Sequence, residues 1–428
     1  MTIDRKDFLR CLGAGAVGAL AAPAWGASLA PGPLPALPPP GGADAEAFWR
    51  AVRANFPLEP GLAYLNTGGL GPASTPVLEL LTRTMLAHQR VSDTGFGSFA
   101  PARAVAAHFF GVRPDEICFT RNTTEGNSIV AAGLALAAGD EVILDSHAHP
   151  GGAFPWYNQA RVRGVVVRLF EPDPASAAGT LDRIQRLITR RTRVIQVSHV
   201  TAPTGIVLPA AAIAALARAH GAWFHVDGAQ SAGMFPFGLR DLGCDSFATS
   251  GHKWLGGPQE TGVFFIRHDR LDEVAPCEAG AHTGRLPFLP GTLQYEPAAA
   301  RHEYGTRNAA SVVALAAALR WQETIGRERI AARGRELAGR VRAGLELIPG
   351  IEILTPSAPG LHGSILTFRA RQIPYDALFG RLWKEHRLRC RPVSEQHLNA
   401  VRVSTHLFNS PEECDRLIAA VASILRPI

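Results

Sequence analysis

Cysteine is scarce in this 428-residue chain, with six in all. Cys11 lies near the N-terminus, and Cys118, Cys244, Cys277, Cys390 and Cys414 follow without C-x-x-C spacing. That pattern indicates neither a disulfide framework nor a zinc site. Long apolar runs are missing as well. The apolar stretch at residues 11–22 is about a dozen residues, whereas a bilayer span needs about 20, so no stable membrane insertion is expected. Cys11 does not follow a full apolar stretch, which argues against a lipid anchor. Blocks of one charge are also absent. The net charge is +6 and the pI about 9.2, but the basic residues are spread along the chain. They form no arm of the kind that binds nucleic acid.

What is present reads as a soluble enzyme. Hydrophobic residues make up 46% and charged residues 19%. The length exceeds one compact core and suits a large domain plus a smaller one. Residues 1–30 read as a targeting signal. Arg5-Lys6-Asp7-Phe8-Leu9-Arg10 precedes the apolar stretch, and Ala22-Pro23-Ala24 offers an A-x-A cleavage site. The segment resembles a twin-arginine signal with Lys6 in place of the second arginine. It implies delivery of the folded protein to the periplasm by the twin-arginine machinery. A disordered basic N-terminus, with a cytoplasmic product, is the alternative reading. Residues 31–45 are rich in proline and glycine and read as a linker.

Beyond the linker, short apolar segments alternate with helical patterns. Residues 116–120, 141–145, 164–170, 193–198, 223–227, 246–250 and 262–267 predict seven strands, with a helix over 210–220 among those between them. The alternation predicts an α/β fold with a mostly parallel seven-stranded sheet and helices on both faces. Two long amphipathic helices are predicted over 311–325 and 327–347. Strands at 351–355, 364–369, 389–392 and 401–405, with helices at 375–386 and 411–425, predict an α+β unit. The expected boundaries are 46–325 for the large domain, its N-terminal segment packing on the small one, and 326–428 for the small domain.

Four places carry chemistry. Lys253 lies in Ser250-Gly251-His252-Lys253-Trp254-Leu255-Gly256-Gly257, after a strand and among apolar neighbours. Desolvation there would lower the amine's pKa and suit it to act as nucleophile and base, although most lysines are solvated surface charges. Asp227 ends the segment Trp223-Phe224-His225-Val226-Asp227. An acid at the carboxyl end of a parallel strand points into the ligand crevice; a helix cap, or a metal ligand shared with His225, is the alternative. Asn122-Thr123-Thr124-Glu125 precedes an apolar run. It reads as a capping box, and equally as a helix N-terminus able to cradle a phosphate. His147-Ala148-His149 suits half of a metal site if both histidines lie on one strand face, or polar residues at a strand end.

Taken in order, these blocks resemble the class V aminotransferase family of fold-type I pyridoxal-phosphate enzymes. The matching blocks are Tyr64-Leu65-Asn66-Thr67-Gly68-Gly69, Thr120-Arg121-Asn122-Thr123-Thr124-Glu125, His147-Ala148-His149-Pro150, His225-Val226-Asp227-Gly228-Ala229-Gln230, Ser250-Gly251-His252-Lys253 and Glu303-Tyr304-Gly305-Thr306. The resemblance implies pyridoxal 5′-phosphate as cofactor, held by Lys253 as an imine, with Asp227 keeping its ring nitrogen protonated. It implies further that Gln230 bonds the phenolic oxygen and His149 stacks on the ring. Thr123, Thr124, Ser250 and His252 would hold the phosphate. Gly305 and Thr306 would reach that phosphate from a second subunit, making the active unit a homodimer. Val401-Arg402-Val403-Ser404 looks like the family segment whose arginine grips a substrate carboxylate, and Asn66 lies in a substrate-contact loop.

Within the family the chain departs from the cysteine desulfurases. Ala202 stands where they carry an asparagine, and residues 388–399 lack their loop cysteine, Cys390 falling in a predicted strand. His199-Val200-Thr201-Ala202-Pro203-Thr204 and His147-Ala148-His149-Pro150-Gly151-Gly152 look instead like the isopenicillin N epimerase branch. That branch also contains exported enzymes that tailor the siderophore pyoverdine. The resemblance therefore implies chemistry at the Cα of an amino acid, as epimerisation or transamination. Carbon–sulfur lysis is the alternative, and a non-catalytic binding module a remote one.

Overall fold

Seven strands form the main sheet: β1 (Ile117–Thr120), β2 (Glu141–Asp145), β3 (Val166–Phe170), β4 (Thr192–Ser198), β5 (Trp223–Asp227), β6 (Ser246–Ser250) and β7 (Gly262–Ile266). The computed structural model describes Leu37, residues 45–287 and residues 289–426. The signal expected over 1–30, and all of the linker except Leu37 and Ala45, lie outside the described residues.

The order across the sheet is β1-β7-β6-β5-β4-β2-β3. β7 runs antiparallel to both its neighbours, and every other pair is parallel. In β1, β2, β5, β6 and β7 every residue is buried, because helices cover both faces. A strand covered on both sides has no polar face, which is why these segments do not alternate between apolar and charged residues; Glu141-Val142-Ile143-Leu144-Asp145 and Gly262-Val263-Phe264-Phe265-Ile266 have unbroken apolar centres. Parallel pairing also has a geometric consequence. Asp145, Ser198, Asp227 and Ser250, the last residues of β2, β4, β5 and β6, all finish along one edge of the sheet.

A second sheet joins β8 (Ile351–Ile353), β9 (Ile365–Ala370), β10 (Arg391–Val393) and β11 (Ala400–Ser404) in the order β8-β9-β11-β10, antiparallel throughout. It has its own apolar core, in which Leu337, Val341, Leu366, Phe368, Leu382, Val401 and Leu417 pack together. The strand expected over 389–392 is split. Leu388–Arg389 pairs parallel with Ala63–Tyr64, whereas Arg391 onward pairs with β11, so the chain changes partner at Cys390.

The two long helices are α3 and α4 among four that matter below: α1 (Thr123–Gly133), α2 (Pro150–Arg163), α3 (Ala309–Ile325) and α4 (Arg327–Glu346). The expectation of an amphipathic helix fails for α3, which is buried on nearly every side against helices Thr75–Val91 and Phe99–Phe110. Its alanines permit that close approach, and a helix buried all round needs no polar stripe. It starts earlier than its apolar pattern suggests because Asn308 accepts a hydrogen bond from the Ser311 backbone N–H, at 3.2 Å.

Candidate active site

The strand ends, the start of α1 and residues of the second sheet enclose a cavity of about 290 Å³. Lys253, Asp227, Gln230, His149, Thr123, Thr124, Ser250, His252 and Arg402 all line it. Lys253 follows directly from β6 through the turn Gly251–His252. A segment from the N-terminal part of the chain packs against that turn. Gly71 donates its N–H to the His252 carbonyl at 2.7 Å, and a Cβ on Gly71 would fall 1.9 Å from the Lys253 carbonyl oxygen. Glycine at that position is therefore a requirement of the close approach.

Burial is the main influence on the Lys253 amine and pulls its pKa down to about 8. Asp227 opposes the shift, while Arg402 and Arg391 add to it. The chain has only two other lysines, Lys6 and Lys384; Lys6 lies outside the described residues and Lys384 is exposed. Lys253 is the lysine placed for chemistry.

At one end of the cavity the groups are donors. Asn122 caps α1 by accepting from the Glu125 N–H at 2.9 Å. Capping and cradling thus coexist, because the cap leaves the first turn of the helix facing the cavity. Ser250 Oγ accepts from the Thr123 N–H at 3.0 Å and lies 2.7 Å from Thr123 Oγ1. His252 Nδ1 is buried and meets no partner among the described residues. Burial, with the charge of Lys253 second, lowers the His252 pKa to about 4. Hydroxyls, a free ring nitrogen and a helix N-terminus without a carboxylate lining that end suit an anion such as a phosphate.

Further along, Asp227 is buried. Its Oδ1 accepts from the Ala229 N–H at 3.0 Å and its Oδ2 from Asn127 at 2.9 Å. Gln230 is held at both ends of its amide, accepting from Trp254 Nε1 at 2.9 Å and donating to the Gly68 carbonyl at 2.8 Å. His149 is not on a strand. It is the N-cap of α2, its Nδ1 accepting from the Gly151 N–H at 3.0 Å, and its pKa is lowered chiefly by burial and then by Lys253. His147 lies in the preceding turn, with Nδ1 3.2 Å from Thr204 Oγ1. The shared strand face needed for a two-histidine metal site is therefore missing, and among the described residues no group of three ligating side chains converges. His225 is likewise committed to hydrogen bonds with Ser246 and Asn127.

At the opposite end Arg402 is fully buried on β11. It donates to the Ala202 carbonyl at 2.7 Å and to Asn66 Oδ1 at 3.1 Å, both neutral acceptors. Its Nε has no partner, and among the described residues no carboxylate forms an ion pair with it. Burial, with Arg391 second, lowers its pKa to about 9. A buried cation without a counter-ion is costly, and a ligand carboxylate would relieve it. Arg391, which the sequence did not single out, lines the same cavity because it is the direct cross-strand partner of Arg402. Its only ion-pair partner among the described residues is Glu395. The signal for Arg391 was strand register, which single-residue inspection does not provide.

Three expected residues do not line the cavity, and of these Asn66 reaches it only through its hydrogen bond to Arg402. Gly305 is absent from its lining, and Thr306 lines a separate recess with Arg121, Glu260 and Arg307. Cys390 is 1% exposed, and burial pushes its thiol up to about 12, leaving no thiolate.

Residues 86–417 match the aminotransferase class-V family. The chain is 31% identical over 401 residues to the isopenicillin N epimerase of Amycolatopsis lactamdurans, covering 88% of this chain and 98% of that one. The structure of a cysteine desulfurase from Thermococcus onnurineus superposes with a TM-score of 0.80 at 26% identity, over 87% of this chain and 97% of that one. A C-DES mutant with glycine covalently linked to its PLP cofactor superposes with a TM-score of 0.79 at 28% identity, over 86% and 98%.

Proposed function

The chain belongs to the aminotransferase class-V family and is a pyridoxal-phosphate-dependent enzyme, and from that premise we propose that it breaks the Cα–H bond of an amino acid or amino-acid-ended compound, as an epimerase or aminotransferase. The observation that carries this reading is the meeting of Lys253, Asp227 and Arg402 in one cavity. The residues present fit the cofactor, with donors for its phosphate at one end and a buried carboxylate for its ring nitrogen beyond them. Bound there, the cofactor supplies a sink for the electrons released when a bond at Cα breaks.

The protein's own residues divide the remaining work. Thr123, Thr124, Ser250 and His252 hold the phosphate, and the helix start adds its positive dipole end. Asp227 would pair with the ring nitrogen, Gln230 would offer its amide N–H to the phenolic oxygen, and His149 would stack on the ring. Arg402, backed by Asn66, orients the substrate carboxylate. Lys253, with its pKa drawn down to about 8, moves the proton at Cα. The buried Cys390 thiol lies outside this set, which favours proton transfer over sulfur transfer from free cysteine.

A partner subunit supplying Gly305 and Thr306 completes the phosphate site in this reading, and the Arg5–Ala24 segment directs the folded protein to the periplasm. Sedimentation analysis tests the first; fractionation with N-terminal sequencing tests the second. The reaction itself is tested by incubating the enzyme with amino acids and amino-acid-ended peptides in deuterated water. Deuterium at Cα without net loss of amine identifies an epimerase, and conversion of the cofactor to its amine form an aminotransferase. Rapid sulfide release from cysteine, abolished by Cys390→Ala, would overturn the proposal in favour of a desulfurase.

A further inference from the structure

Behind Asp227 runs a chain of four buried side chains, none of which lines the cavity. Trp223 Nε1 lies 2.9 Å from Ser246 Oγ. Ser246 Oγ lies 2.7 Å from His225 Nδ1, and His225 Nε2 lies 2.8 Å from Asn127 Oδ1. Asn127 Nδ2 lies 2.9 Å from Asp227 Oδ2 and 3.0 Å from the Gly151 carbonyl oxygen.

The ends of the chain decide its direction. An indole N–H only donates, and a carboxylate or a carbonyl only accepts. Asn127 faces two acceptors, Asp227 and Gly151, so its NH2 must point at them and its oxygen at His225. His225 must then carry its proton on Nε2, which leaves Nδ1 to accept from the Ser246 hydroxyl. Ser246 in turn accepts from Trp223. Every donor meets an acceptor in this one arrangement, and reversing any member sets two like groups against each other. The imidazole stays neutral throughout, because burial lowers its pKa to about 3. Packing leaves little freedom, since a Cβ on Gly152 would come within 2.8 Å of Asp227 Oδ2.

We propose that Asn127, His225 and Ser246 are positioning residues, which hold the Asp227 carboxylate in place and correctly turned against the ring nitrogen of the bound cofactor. This rests on the role given to Asp227 above. The three residues come from α1, β5 and β6, so the relay ties the helix that cradles the phosphate to the strand that carries the acid.

The test uses the purified holoenzyme, its visible absorption spectrum across pH, and cofactor affinity measured by fluorescence on reconstitution. Asp227→Asn should shift the band and its pH midpoint most. Asn127→Ala should shift both in the same direction and weaken cofactor binding by about ten- to a hundredfold, the range for a lost hydrogen bond to a charged group. Ser246→Ala, three links from the carboxylate, should produce a smaller shift of the same sign, and Ser246→Thr, which keeps the hydroxyl, should restore the wild-type spectrum. Should Asn127→Ala fail to fold, the Ser246 pair decides. Wild-type spectra and affinity in the Asn127 or Ser246 alanine variants, alongside a shifted Asp227→Asn, would overturn the relay. An unshifted Asp227→Asn would remove the ring-nitrogen assignment itself.

Discussion

The two ends of the cavity are built on different principles. The end lined by hydroxyls and His252 is made by short stretches of chain, Asn122–Thr124 and Ser250–Lys253, each carried to the site by the strand that precedes it. The end that holds Arg402 is made by contacts between distant residues, such as Arg402 with Asn66 and Ala202. The first end needs only a strand, a tight turn and a helix start in the right order. The second needs two sheets to meet.

Breaking the chemistry common to both ends should have the largest effect. Lys253→Ala is expected to fold and to lose Cα deuterium exchange by at least about 10²–10⁴-fold, the usual contribution of a positioned acid–base group. Borohydride reduction followed by peptide mapping should label Lys253, and a label on Lys384 would refute the assignment. At the substrate end, Arg402→Ala is expected to raise KM by about ten- to a hundredfold, with a smaller change in kcat. Arg402→Lys should recover little, because an ammonium lacks the planar fork. A fall in cofactor affinity without a rise in KM would place Arg402 at the wrong end.

A third experiment probes the strand-end edge through stability. Asp145 accepts from the Ser198 N–H at 2.8 Å, yet burial raises its pKa to about 7, with Asp227 adding to the rise. Between the ordinary carboxylate range and about pH 7, the folded chain keeps a proton that the unfolded chain has lost. Stability therefore falls as pH rises through that window. Asp145→Asn can still accept from Ser198 and does not titrate, so its Tm should decline less than the wild type's between pH 5 and pH 8. Parallel declines would show that Asp145 is ionised throughout. The smallest effect is expected from Cys390→Ala, a stability loss of about 1 kcal/mol with unchanged turnover, measured by denaturant titration and exchange rate.

Much of the fold is legible in sequence because strands buried on both faces leave short apolar runs bounded by turn residues. All seven strands of the large sheet are legible, and their ends differ from the apolar pattern by a residue or two where a helical turn such as Pro114–Glu116 abuts a strand. Helix α3 is legible as a helix, but not as a nearly buried one: its alanines pack against other helices on most sides and leave only a narrow exposed strip at Arg320 and Thr324. The split at Cys390 leaves no local signal, because the change of pairing partner depends on residues 63–64, far away in the chain.

For the site, the residue types at Lys253, Asp227 and Asn122–Thr124 were set locally, by strand ends and helix starts whose signals span a few residues. The amino-acid sequence by itself therefore determined the family and the cofactor, and it named the residues that line the hydroxyl-rich end of the cavity. Tertiary structure alone decided that Arg391 stands beside Arg402, that His225 serves Asn127 rather than a metal, and that Cys390 is sealed from the cavity. Those outcomes depend on cross-strand register and burial, and both arise only when separate strands and helices come together and exclude water.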